Sequence, residues 1–261
     1  MPSMLDKTEI GSKRMCPVIF LIDTSLSMSI DTTGRGHPIG AVNAAIENSL
    51  PELISMNEKN ADAEIKIAVL SFDSDVEWVT GETGLISPED LQAKWKDLDA
   101  DGLTFMGAAF KELNQKLSVS HGFMQHASGS VAPVLFLLSD GEPNDDYKSG
   151  LKILQTNNWY KVASKVAIGY GDSNDDILRE FTGNIETVLH TNDPKELLKL
   201  IQFVTITSST VASSGTKTVS PDDNAEDENN PIDTDGNTAN LGDALQKQKA
   251  IIQNAGVDDE F

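Results

Sequence analysis

The sequence predicts a doubly wound α/β domain. Its sheet is six-stranded and mostly parallel, with one antiparallel edge strand and helices on both faces. Three observations predict it. Apolar runs such as "PVIFLI" and "APVLFLLS" show no polar alternation, as strands buried on both faces require. Segments with apolar residues at helical spacing separate them. Strand and helix then alternate along the chain, which is the pattern of an α/β domain.

Each element follows from local pattern. Cys16 opens the first strand, and "PVIFLI" continues it. Ile39, Val42, Ile46, Leu50, Leu53 and Ile54 fall on one helical face, and Pro51 is expected to kink or restart that helix. "IKIAVLSF" is the second strand. "VEWV" follows the short Asp73–Ser74 turn as a hairpin partner, hence the antiparallel edge. Met106, Phe110, Leu113 and Leu117 define another amphipathic helix. "APVLFLLS", "KVASKVAIGY" and "ETVLH" supply the last three strands. Helices are expected over 147–156 and 173–181. A final one runs from Pro194, where a missing N–H costs nothing, to about Val204.

The 261 residues carry a net charge of −21, which disfavours phosphate backbones and anionic membrane surfaces. Nucleic acid and membranes are therefore excluded as expected partners. The charge suits cations and basic protein partners. One cysteine allows no internal disulfide, and residues 1–15 lack the apolar core of a signal peptide, so a cytoplasmic location is expected. Composition changes after Thr207: residues 208–261 are Ser/Thr-rich and then acidic, with eleven acidic against three basic side chains. The organisation read here is an arm over 1–15, a domain over 16–207 and a largely disordered tail over 208–261. "LGDALQKQKAIIQ" offers a short helix at 241–253, read as frayed or as folding on a partner.

Ligands of doubly wound domains gather at the carboxyl ends of the strands, near the point where strand order reverses. Asp23, Ser25 and Ser27 end the first strand in "DTSLS", and Asp140 ends the fourth in "LSDGEPND". Thr104 stands behind Gly102, before the helix that leads to the fourth strand. All five are hard oxygen donors, suited to Mg²⁺ or Mn²⁺ and too few to satisfy Ca²⁺. Neutral hydroxyl ligands leave an ion electrophilic, so one coordination position could take a carboxylate from a partner.

"DTSLS", Thr104 and Asp140, in that order and each at a strand end, resemble the metal-ion-dependent adhesion site (MIDAS) of von Willebrand factor A (VWA) domains. The resemblance spans residues 16–204. Within the family, "VIFLIDTSLSMS", "AVNAAI", "VLSFDSD" and "PVLFLLSDGEPND" are most similar to the bacterial tellurium-resistance TerY-like branch. It implies that Ser25 and Ser27 bind the ion directly. Thr104 would bind it directly or through water, and Asp23 and Asp140 would coordinate or hold waters. It further implies a non-enzymatic module that recruits an acidic residue of a partner protein. A stress-response or phosphorylation-signalling setting, near kinases and phosphatases, also follows from it. Leu26 stands where the family commonly has glycine, and Leu103 where this branch often does.

Other features weigh less. Asp145 and Asp146 are expected to cap the next helix or face solvent. His37, His121, His126 and His190 have no metal spacing. "DTDGN" at Asp233–Asn237 lacks the first and last carboxylates of a calcium loop. The rival reading is a metal-dependent hydrolase or phosphotransferase using Asp23, although no His or Lys accompanies the constellation as a base. A dinucleotide site is disfavoured because hydroxyls, not G-x-G-x-x-G, follow the first strand.

Overall fold

The computed structural model describes residues 13–31, 36–61, 63–82, 84–124, 130–171, 173–214, 242, 243, 245–247 and 250. Six strands form one sheet: β1 (Arg14–Asp23), β2 (Ala63–Phe72), β3 (Val76–Trp78), β4 (Val134–Ser139), β5 (Ser164–Tyr170) and β6 (Val188–Thr191). Their order is β3-β2-β1-β4-β5-β6, and only the β2–β3 pair is antiparallel.

Alternation along each strand divides the core. Val18, Phe20 and Ile22 of β1 face α1 (Pro38–Lys59), α2 (Pro88–Lys94) and α7 (Pro194–Ser214). Ile19 and Leu21 face α3 (Met106–Lys116), α4 (Tyr147–Leu154), α5 (Asn158–Val162) and α6 (Asp175–Thr182). A central strand must therefore be apolar at every position, which explains the unbroken runs in the sequence. Aromatic pairs fill both layers: Phe20 stacks on Phe136 at 4.8 Å and Phe110 on Phe181 at 5.5 Å. Cys16 is buried in the first layer, and burial pushes its thiol up to about 12, which suits a packing role.

The structure departs from the sequence reading in four places. Helix α1 runs through Pro51 without restarting. Pro51 and Glu47, whose carbonyl loses its partner, both lie on the solvent face, while Leu50 and Leu53 stay buried. Helices α2 and α5 are short and went unforeseen; Ser87 and Asn157 cap them. Helix α7 continues to Ser214, past the expected boundary at Thr207. The described part of 242–250 is helical and docked. Leu245 is fully buried in the α1/α7 layer, and Gln246 Nε2 donates to the Glu186 carbonyl at 2.8 Å. The expectations for residues 1–12 and 215–241, "DTDGN" included, lie outside the described residues.

Candidate metal centre

Strand order creates the site. From β1 the chain moves outward to β2 and β3, then returns to place β4 on the other side of β1. The carboxyl ends of β1 and β4 thus flank the reversal point. Their parallel register pairs Ile22 with Leu138, so Asp23 lies beside Ser139 with Asp140 one residue beyond.

Hydrogen bonds fix the first loop. Asp23 is fully buried; its Oδ1 accepts from the Ser25 N–H at 2.9 Å and its Oδ2 from the Ser139 hydroxyl at 2.5 Å. A short 3-10 turn, Leu26–Ser29, then turns the serines inward. Ser25 Oγ and Ser27 Oγ are 3.1 Å apart, and Ser27 Oγ donates to Asp140 Oδ1 at 2.7 Å. Four of the five expected residues are therefore linked by hydrogen bonds, Asp23 through the Ser25 N–H and the other three oxygen to oxygen.

Thr104 joins them through its loop. The Leu26 N–H donates to the Gly102 carbonyl at 3.2 Å, and the Asp101 N–H to the Thr24 carbonyl at 2.9 Å. Gly102 has φ +77°, which glycine adopts without steric cost. Thr104 is buried, and a β-carbon on Gly141 would lie 3.5 Å from its Oγ1 and 3.7 Å from Ser27 Oγ. The Thr104 and Ser27 hydroxyls therefore both border Gly141, the residue after Asp140.

Sequence reasoning missed three positioning residues. Ser139 anchors Asp23. Asn144 exchanges two bonds with Thr104, both 2.8 Å: its Oδ1 accepts from the Thr104 N–H, and its own N–H donates to the Thr104 carbonyl. Asp145 caps α3 rather than the helix that follows it. Its two oxygens accept from the Gly107 and Ala108 N–H groups at 2.8 and 2.9 Å. Thr104 therefore does not cap α3. Asp146 does cap α4, accepting from the Ser149 N–H at 3.1 Å. The approach needs Gly107, where a β-carbon would sit 2.6 Å from the Asp146 carbonyl oxygen. Only the adjacency of Ser139 to Asp140 and the polar run "PND" signalled these roles in the sequence.

The electrostatics favour a cation. Burial raises the Asp23 carboxyl above its ordinary range, against the bonds from Ser139 and Ser25 that lower it. Asp140 is pushed up to about 6, chiefly by burial and further by the Asp23 charge, against the Ser27 bond. A divalent ion would relieve both desolvation and repulsion. The oxygen set of two carboxylates and three hydroxyls fits a hard ion. No cluster of three His, Cys, Asp or Glu side chains suited to a metal occurs among the described residues, so the hydroxyls are essential to the candidate set.

The fold and site together define an α/β domain with a cluster of carboxylate and hydroxyl oxygens at the sheet's switch point. Residues 18–203 match the von Willebrand factor type A domain model, and the chain belongs to that family. No curated protein gives a significant match. Solved structures share the fold. Proximal thread matrix protein 1 from the mussel byssus, described with a zinc-occupied MIDAS motif, is 17% identical. Its TM-score is 0.58, over 76% of this chain and 48% of that one. A von Willebrand factor type A protein from Catenulispora acidiphila is 20% identical, with TM-score 0.56 over 76% and 43%. The vWF domain of the type V pili tip protein Mfa5 from Porphyromonas gingivalis is 12% identical, with TM-score 0.58 over 80% and 99%. The chain spans about half the length of the first of these.

Proposed function

We propose that this domain is a metal-dependent protein-binding module. Asp23, Ser25, Ser27, Thr104 and Asp140 would hold Mg²⁺ or Mn²⁺, and an Asp or Glu of a partner protein would complete the site. The single observation carrying this reading is the hydrogen-bonded series from Asp23 through Ser25 and Ser27 to Asp140, with neutral hydroxyls at its centre. When bound, the ion supplies a Lewis-acidic position for a partner's carboxylate. The chain's own residues supply the rest: Ser139 and the Ser25 N–H hold Asp23 still, and Asp145 and Asn144 hold the Thr104 loop.

Binding is favoured over catalysis. Asp23 is fully buried with both oxygens engaged, which is poor placement for a nucleophile. The resemblance to the TerY-like branch extends the proposal to a cytoplasmic stress-response or phosphorylation-signalling setting, with kinase- or phosphatase-associated proteins as partners.

Calorimetry with Mg²⁺ and Mn²⁺ tests the site. One ion per chain is expected, bound weakly because few protein oxygens contact it directly. Binding should disappear in a Ser25→Ala, Ser27→Ala double variant. Tight Zn²⁺ binding at a histidine site, with neither Mg²⁺ nor Mn²⁺ bound, would refute the assignment.

A further inference from the structure

The metal face departs from the usual surface rule. Six large apolar side chains are conspicuously exposed among the described residues, and three of them belong to this face: Leu26 (52%), Leu103 (51%) and Ile30 (50%). Leu26 lies between Ser25 and Ser27, and Leu103 directly precedes Thr104. Ile30 follows the 3-10 turn that carries Ser27. The other three, Val119, Ile153 and Ile185, lie on separate elements.

The two leucines are held in place. The bond from the Leu26 N–H to the Gly102 carbonyl ties their loops together, and the Leu103 N–H donates to Ser74 Oγ at 2.9 Å. Neither loop needs a leucine for its backbone bonds. Exposed apolar area adjoining a specific polar site marks an interaction surface. Around it the face is acidic: Asp75 and Asp101 are exposed beside the leucine loops, and Glu142 and Asp175 beyond Asp140. Further carboxylates in a partner would be repelled by this ring.

We propose that the partner presents one Asp or Glu beside a large apolar residue, within an otherwise neutral or basic segment. The inference rests on the metal-binding reading above and specifies its ligand. The acid would complete the metal site, and its apolar neighbour would pack on Leu26 and Leu103. A residue adjacent to the acid is best placed to do so, because each leucine adjoins a candidate ligand in the chain. The acidic surround accepts Lys or Arg in the flanks and rejects a second acid.

Synthetic peptides of the form Gly-Ser-Lys-X-Asp-Z-Lys-Ser-Gly test this on the full chain. X and Z are each glycine or leucine, and binding is read in Mn²⁺ and in EDTA. Peptides with one leucine should bind about fivefold tighter than the glycine peptide, and only in Mn²⁺, the gain expected from covering a half-exposed leucine. Replacing both lysines by glutamate should remove binding. A Leu26→Ser, Leu103→Ser variant should lose the leucine preference while keeping Mn²⁺ affinity by calorimetry. Leu103→Ala alone should lose part of it. Equal binding of glycine and leucine peptides would overturn the inference, as would a preference that survives the double variant. Failure of every peptide to bind a Mn²⁺-loaded chain would also overturn it, leaving the metal site intact. Failure of Mn²⁺ itself to bind would instead refute the underlying reading, and this one with it.

Discussion

The carboxyl end of the sheet and the two helix layers obey opposite rules. In the layers, apolar side chains are buried, and Phe110 and Phe181 stack with no exposure at all. At the carboxyl end, Asp23 is buried while Leu26 and Leu103 face solvent. A buried carboxylate costs stability, and an exposed leucine forgoes the gain that burial would give. The layers must supply what the site gives up. Removing a layer contact and removing the Asp140 charge should therefore change stability in opposite directions.

The largest effect is expected in the layers. Phe110→Ala should destabilise the chain by about 3–5 kcal/mol in chemical denaturation, with or without Mn²⁺, because it opens a cavity in a rigid core. A loss under 1 kcal/mol would show that this layer repacks freely. Next is Asp145→Ala, which removes two charge-assisted bonds at the start of α3. About 2 kcal/mol should be lost, and Mn²⁺ affinity should fall with it, because the Thr104 loop rests on the same segment. Unchanged Mn²⁺ affinity would detach Thr104 from the site. Leu245→Ala should cost about 1–2 kcal/mol, limited because the tail helix can detach while the layers persist. No change on denaturation would mean that the docked helix contributes nothing.

A smaller effect concerns pH. The folded-state value of Asp140 is about 6, above that of an unfolded carboxyl. Between these values the metal-free folded chain binds more protons than the unfolded one, so its stability falls as pH rises through that window. Asp23 is shifted in the same direction. The melting temperature of the metal-free protein, compared with that of Asp140→Asn, should fall more steeply from pH 4 to about pH 6. Identical slopes would mean that Asp140 titrates as an ordinary exposed carboxyl.

The same contrast explains what the sequence made legible. The strands could be read because burial on both faces leaves an unbroken apolar signature. That Asp23, Ser25, Ser27, Thr104 and Asp140 lie near one another at the carboxyl ends could be read because strand ends and their order locate them. Ser139 and Asp145 act through partners 116 and 38 residues away, and no local pattern encodes such pairs. The helix does not restart at Pro51 because the carbonyl that loses its partner belongs to Glu47 on the solvent face. The tail is acidic and polar in composition, yet Leu245 and Gln246 dock its described helical residues on the domain.

In the proposed site Asp140 serves the metal and opposes the metal-free fold. Thermal unfolding of Asp140→Asn, with and without Mn²⁺, tests it most directly, since an amide can still accept the Ser27 hydroxyl. The metal-free melting temperature of the variant should equal or exceed that of the parent chain, with the Mn²⁺-induced rise largely lost. Unfolding of the variant at room temperature, or a full Mn²⁺-induced rise, would contradict it.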